Sequence, residues 1–176
     1  MPTTLLEGLL SGITHPAVGL DHLTFMIAIG LAAALAPASL VIIACFVAAC
    51  LVGIAVHAAN FDFAYSEQLV AVSVILAGLL LLTGCGSKRW IWLGIGVLSG
   101  LVHGYAFGET ILGANLDVTA TYMAGVLGVV TAITVAAMLV ISKGLKVSDA
   151  QSVAVRAVGG VFAMNGIYLI IGLQGD

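Results

Sequence analysis

The chain has 176 residues, of which 62% are hydrophobic and 7% are charged, and its formal net charge is −3. Soluble domains are about a quarter charged, so this composition argues against a water-soluble fold. Apolar runs of bilayer length, roughly 17 to 25 residues, recur with short breaks and leave no room for a separate soluble domain. Because these runs lack the alternation of barrel strands, we predict an all-α integral membrane protein with a single transmembrane domain, residues 1–176.

We predict a compact bundle of about six transmembrane helices, with breaks at clusters of Gly, Pro, Asn, Ser and Lys. The predicted spans are residues 16–36, 39–58, 66–84, 89–106, 117–141 and 151–173. The first span begins at Pro16, because proline suits the first position of a helix and favours an extended His15 before it. No Lys or Arg precedes the first apolar residues, so we expect no cleaved signal peptide.

The basic residues predict the orientation of the bundle. With six spans, all five fall at one membrane face: Lys88, Arg89, Lys143, Lys146 and Arg156. Cytoplasmic loops carry an excess of Lys and Arg, so we expect this face to be cytoplasmic and both termini to lie outside. The outer face then holds the four histidines and most carboxylates, namely His15, His22, His57, His103, Asp62, Glu67, Glu109 and Asp117, with Asp21 just inside.

The first candidate site is the segment His15-Pro16-Ala17-Val18-Gly19-Leu20-Asp21-His22. Asp21 and His22 lie in an otherwise apolar span, where ionisable groups are costly and are usually functional or paired. Gly19 permits another backbone, or His15, to approach closely. A regular helix would point Asp21 about 100° away from the histidine face, so we expect a distorted first turn. Two imidazoles and a carboxylate suit nickel, cobalt, zinc or copper better than calcium or magnesium.

The second candidate site is the segment His103-Gly104-Tyr105-Ala106-Phe107-Gly108-Glu109. Ser-Gly-Leu-Val-His ending at His103, with Glu109 six residues later, matches Ser-Gly-Ile-Thr-His ending at His15, with Asp21 six residues later. The match indicates either a parallel duplication or coincidence, and it predicts one shared site. Glycines recur every fourth residue from Gly96 to Gly108, a pattern that favours close helix packing and would bring His103 near the first span. His57 and Glu67 are weaker candidate ligands.

The pattern His15-Pro16-x-x-Gly19-x-Asp21-His22 before an apolar span resembles the signature of the HupE/UreJ family of nickel and cobalt permeases. The later His103-Gly104-x-Ala106-x-Gly108-Glu109 is similar to the family's second motif, although many members carry further histidines where this chain has Tyr105 and Phe107. The resemblance implies a secondary carrier or channel-like permease that imports Ni²⁺ for hydrogenase or urease maturation, or Co²⁺. It carries the metal-ligand role over to His15, Asp21 and His22.

We therefore predict a multi-pass permease of the inner (cytoplasmic) membrane that collects Ni²⁺ or Co²⁺ with His15, Asp21, His22, His103 and Glu109. The ion is cargo, and no permanently bound cofactor is expected. The expected partners are the metal ion and membrane lipid, without nucleic acid, and a homo-oligomer remains open. The sequence has no G-x-x-x-x-G-K-[ST] motif, so transport would follow a gradient or a partner.

Two other readings remain open at this point. Zinc held by two histidines and a carboxylate could activate water in an intramembrane metalloenzyme. Against this reading, the sequence lacks H-E-x-x-H and a dedicated general base beside Asp21 and His22. The histidines could also titrate without metal in a proton-conducting or scaffold protein.

Overall fold

The structure is a computed structural model that describes residues 1–37, 39–61 and 63–174. Within these ranges the chain forms seven α-helices and no strand, which confirms the predicted all-α fold. The helices are α1 (Leu5–Val18), α2 (Leu20–Leu35), α3 (Ser39–Ala58), α4 (Ser66–Leu82), α5 (Arg89–Gly108), α6 (Leu116–Leu139) and α7 (Val153–Gly172). Single 3₁₀ turns lie at Cys85–Ser87 and Glu109–Ile111, and a π-helical turn, Val140–Gly144, extends α6.

Among the described residues, four helical stretches are long and apolar enough to cross a membrane: Leu40–Ala58, Arg89–Ile111, Leu116–Gly144 and Val153–Gly172. α1 and α2 form a fifth candidate span, bent by 75° at the break between them. α4 is apolar but shorter, at 17 residues. The outside of the bundle exposes large apolar side chains, such as Leu116 at 83% and Val153 at 84%, as a lipid-facing surface requires.

The structure corrects the predicted start of the first span. α1 begins well before Pro16, because Thr4 and Glu7 form a capping box that satisfies the first amides of the helix. The Thr4 hydroxyl accepts from the Glu7 N–H at 3.2 Å, and the Glu7 carboxylate accepts from the Thr4 N–H at 3.2 Å. Pro16 therefore lies inside α1 rather than at its first position, and His15 is helical rather than extended. The chain leaves the helix at Gly19 instead.

Glycines bring three pairs of helices into backbone contact. The pairs are α3 with α5, α4 with α7, and α1 with α6, and a Cβ would overlap the neighbouring backbone at Gly104, Gly78 and Gly12 respectively. Such small-residue contacts are the usual packing device of membrane helices. The glycine stripe of α5 packs mainly on α3, where Gly108 meets His57, and Gly96 also lies 3.7 Å from Ile29 of α2 when given a Cβ. α2 is buried among the other helices over most of its length.

The glycine contacts also define the direction of each helix. α1 and α6 run in parallel, since Gly8 of α1 meets Val118 and Gly12 meets Tyr122, and α3 and α5 run in parallel likewise. Because α6 leaves the end at which α5 arrives, α1 and α5 run in opposite directions. The segments around His15 and His103 are therefore not a parallel duplication, and that prediction was wrong.

The two ends of the bundle differ in charge. At one end Arg156 Nε donates to the Leu82 carbonyl at 2.9 Å, and Gln151 donates to the Gly84 carbonyl at 3.1 Å, so the loops with the basic residues lie together. Met1 lies near Gly113 at the other end. That the basic end faces the cytoplasm and the termini face outside stays a prediction. Asp62 lies outside the described residues.

Candidate functional site

A cavity of about 630 Å³ opens at the end of the bundle that is opposite the basic residues. The α1–α2 break, the first turns of α4, the end of α5 and the end of α7 meet there. Its ionisable lining residues are His15, Asp21, His22, Glu67 and Glu109, and its other lining residues include Val18, Val70, Ala106, Tyr168 and Leu169. None of the described lining residues is Lys or Arg. Clefts lined by one sign of charge concentrate ions of the opposite sign, so this cavity favours cations.

The break at Gly19 places the ionisable side chains of Asp21 and His22 close to the Gly19 backbone. Asp21 Oδ1 accepts a hydrogen bond from the His22 N–H at 2.8 Å, in the first turn of α2. A Cβ on Gly19 would lie 2.8 Å from Asp21 Oδ1 and 2.8 Å from His22 Cδ2. His22 Nε2 is 3.9 Å from Asp21 Oδ2. The absence of a side chain at Gly19 thus makes room for both groups beside each other.

His15 lies half-buried near the end of α1, and its ring centroid is 5.7 Å from that of His22. His15 Nδ1 is 2.7 Å from Thr110 Oγ1 and 3.2 Å from Tyr122 Oη. The Tyr122 hydroxyl donates to the Phe107 carbonyl at 2.6 Å. Since that donation uses the only hydroxyl hydrogen of Tyr122, its oxygen can interact with His15 only as an acceptor.

His103 lies behind His22 and not on the described lining of the cavity. It is fully buried in α5. Its Nδ1 is 2.9 Å from His22 Nδ1, and its Nε2 is 2.9 Å from Ser73 Oγ in α4. Its ring centroid is 4.6 Å from that of Phe25. The structure therefore brings the second motif against the first, with His103 one layer deeper than His22.

The remaining candidates lie apart from this pair of histidines. Glu109 is exposed in the 3₁₀ turn after α5, and Glu67 is exposed in the first turn of α4, and both line the cavity. His57 Nδ1 is 2.7 Å from the Tyr105 carbonyl, at the α3–α5 contact, and His57 is not on the described lining. Asp117 is exposed in the first turn of α6.

In this conformation, residues 1–37, 39–61 and 63–174 contain no group of three or more His, Cys, Asp or Glu side chains close enough to hold a metal ion. The candidate ligands around the cavity therefore lie farther apart than the ligands of a closed metal site.

Below His22 and His103, toward the basic end, the core is apolar. Phe25, Phe46 and Trp92 are fully buried there, and the Phe25 and Phe46 rings are 5.5 Å apart. Trp92 Nε1 donates to the Cys85 carbonyl at 3.3 Å, close to the basic loop after α4. The cavity is thus open at one end of the bundle, and buried apolar side chains close it toward the other end, with Phe25 and Phe46 next to His103 and Trp92 nearer the basic loop.

Sequence reasoning missed three polar residues that hold the histidines: Ser73, Thr110 and Tyr122. A usable signal was present, because each lies in or beside an apolar span, the same reason that singled out Asp21 and His22. What the sequence did not reveal is the partner of each group, since these contacts join residues 30 to 107 positions apart.

An all-helical bundle with helices of membrane length and an acidic, histidine-bearing cavity at one end defines a multi-pass membrane protein whose site suits a cation. The sequence matches the family described as "HupE / UreJ protein" over residues 2–169, and the chain belongs to this family. It is a family of membrane proteins of nickel and cobalt transport rather than of enzymes. No curated protein and no solved structure gives a significant match to the chain.

Proposed function

We propose that the chain is a permease of the cytoplasmic membrane that imports Ni²⁺ or, alternatively, Co²⁺. The ion is captured in the cavity by His15, Asp21, His22 and Glu109, with Glu67 at the rim. The observation that carries this proposal is the convergence of two imidazoles and three carboxylates on one cation-favouring cavity in a chain of this family. Imidazole and carboxylate together suit borderline divalent metals.

The distances within the cavity support capture after a small closure. Two atoms that each bind one ion at about 2.1 Å lie at most about 4.2 Å apart, and His22 Nε2 and Asp21 Oδ2 are 3.9 Å apart. Two imidazoles that share an ion have ring centroids roughly 5 to 6 Å apart by the same bond length. The 5.7 Å between the rings of His15 and His22 lies in that range. Glu109, in the turn after α5, then moves toward the ion and completes the set of ligands.

Passage through the protein requires a second conformation. The carboxylates draw the hydrated ion to the cavity, and the imidazoles replace part of its water shell. The buried side chains of Phe25, Phe46 and Trp92 lie between the cavity and the basic end, so this apolar core must open before release. The captured ion would serve the maturation of hydrogenase or urease, since the family is linked to the nickel handling of these enzymes.

Uptake of radioactive nickel by cells that express the chain tests the proposal, with Co²⁺ and Zn²⁺ as competitors. We expect Asp21→Asn and His22→Ala to abolish uptake while the protein still inserts, because each removes a ligand and both residues lie in α2, outside the three glycine-packed helix pairs. His57→Gln is the matched control, since His57 lies outside the described lining, and it should retain uptake. Uptake near wild type in Asp21→Asn would contradict the proposed site.

A further inference from the structure

Three polar side chains, Ser73, His103 and His22, form a continuous line from α4 to the cavity. We propose that Ser73 and His103 are positioning residues that hold His22 in the tautomer with hydrogen on Nδ1, so that Nε2 faces the metal with a free lone pair. This inference rests on the proposed capture of metal by His22. It places His103 behind the metal rather than on it.

Ser73 determines which atom donates and which accepts in each hydrogen bond of this line. Its Oγ is 2.7 Å from the Val70 carbonyl oxygen and donates to it. A carbonyl oxygen cannot donate, and two oxygens this close require a hydrogen between them. A serine hydroxyl has one hydrogen, so Ser73 Oγ can only accept from His103. The His103 Nε2, at 2.9 Å, is therefore the donor.

The donor at His103 Nε2 in turn determines which atom donates between His103 and His22. A neutral imidazole carries hydrogen on one ring nitrogen and a lone pair on the other. With hydrogen on Nε2, His103 presents the lone pair of Nδ1, and His22 Nδ1 at 2.9 Å must donate to it. The lone pair of His22 is left on Nε2, the atom 3.9 Å from Asp21 Oδ2. Metal binds an imidazole through such a lone pair.

Packing holds this arrangement in place. The His22 ring centroid is 4.4 Å from that of Phe107 and 5.0 Å from that of His103, and His103 lies 4.6 Å from Phe25. Both histidines and Ser73 are buried. A direct bond from His103 Nδ1 to the metal would break its hydrogen bond with His22.

His15 is also held through its Nδ1 by hydroxyl groups behind it. Its Nδ1 contacts Thr110 and Tyr122, and the Tyr122 oxygen can only accept there because its hydrogen goes to the Phe107 carbonyl. The Thr110 hydroxyl, at 2.7 Å, can donate or accept, so these contacts hold the His15 ring in place without fixing its tautomer. Both histidines of the first motif are thus held from behind by a hydrogen-bond partner, an arrangement known to orient metal-binding histidines.

Equilibrium binding of Ni²⁺ to the detergent-solubilised protein tests the positioning role. We expect His103→Leu to weaken binding by about 10- to 100-fold, the usual effect of removing such a partner, and Ser73→Ala to weaken it less. His103→Asn should recover most of the affinity, because the amide oxygen can take the place of Nδ1 as acceptor. Ser73→Thr keeps the hydroxyl and is the matched control for Ser73→Ala. If His103 were itself a ligand, His103→Asn would bind as poorly as His103→Leu, and the inference would fail.

Nitrogen NMR of histidine-labelled, metal-free protein reads the tautomer without any metal. We expect wild-type His22 to carry hydrogen on Nδ1, and Ser73→Ala to give a mixture of tautomers. Hydrogen on Nε2 of His22 in the wild type would overturn the inference, even if Asp21 and His22 prove necessary for uptake. Conversely, the expected tautomer in a protein that binds no nickel would refute the proposed function and leave the hydrogen-bond line standing. Because Ser73→Ala removes only one oxygen, this readout remains available if His103→Leu does not fold.

Discussion

Gly19→Ala changes the geometry of the proposed metal site by one methyl group. The added Cβ would lie 2.8 Å from Asp21 Oδ1 and 2.8 Å from His22 Cδ2, closer than non-bonded atoms approach. Gly19 has φ −65° and ψ 115°, which alanine adopts without strain. The backbone can therefore keep its path, and the conflict falls on the two side chains that we assign to the metal.

The size of the effect follows from the cost of this overlap. In the metal-free Gly19→Ala variant the Asp21 and His22 side chains can turn away from the methyl group. Metal binding must then return them to their positions beside it. Overpacking of this kind costs about 1 to 3 kcal/mol. Since about 1.4 kcal/mol corresponds to a factor of ten in Kd, we expect Ni²⁺ to bind about 5- to 150-fold more weakly.

The assay is equilibrium nickel binding to detergent-solubilised protein, with thermal unfolding measured in parallel. Gly94→Ala in α5 and Gly128→Ala in α6 are the matched controls, because a Cβ at either position meets no atom within 4 Å. Both controls should bind nickel as the wild type does. A Gly19→Ala protein that binds nickel as tightly as these controls would refute the assignment of Asp21 and His22 as paired ligands.

Three further predictions concern the site, the topology and the packing. Nickel affinity should fall as the pH is lowered, because protons compete with the metal for the imidazole nitrogens and the carboxylates; a nickel affinity that stays constant down to the pH at which the protein unfolds would mean that neither group binds the ion. In a variant without native cysteines, an impermeant thiol reagent added outside should label Asn115→Cys and not Lys146→Cys, and the reverse pattern would invert the predicted orientation. Gly104→Ala should lower the stability of the bundle by about 1 to 3 kcal/mol, because the new Cβ overlaps the Cys50 carbonyl of α3; an unchanged thermal midpoint would count against the α3–α5 contact.

Much of the fold could be predicted because the bilayer restricts what a backbone can do. Five predicted spans, 39–58, 66–84, 89–106, 117–141 and 151–173, agree with α3 to α7 within a few residues. Each is an apolar run, and all except α4 belong to helical stretches long enough to cross a membrane. The ends of these spans were equally predictable, because glycine and asparagine residues mark the breaks between them.

The start of the first span was harder to predict, because two local sequence signals indicate different first residues for the helix. Pro16 is compatible with the first turn of a helix, and reading it so placed the helix start about three turns too late. The capping box of Thr4 and Glu7 was present in the sequence and would have given the correct start. The bend at Gly19 depends on which helices pack on either side of it, and that information is tertiary.

The candidate site shows the same division between local pattern and tertiary contact. Polar residues in apolar surroundings singled out Asp21 and His22, and the structure puts both on the cavity. The depth of His103 was not predictable, since it depends on Ser73 of α4 and on Phe25 of α2. A histidine on the cavity wall and one behind it give the same sequence pattern.

The break at Gly19 also shapes the electric field inside the cavity. α1 ends at Val18, on the cavity lining, and the C-terminal end of a helix carries the equivalent of about half a negative elementary charge. α2 begins immediately afterwards, and the Asp21 carboxylate covers its positive end by accepting from the His22 N–H. The cavity therefore faces the negative end of one half-helix while the positive end of the other is compensated. At this break the backbone therefore contributes a field of the same sign as the carboxylates, and both favour a cation in the cavity.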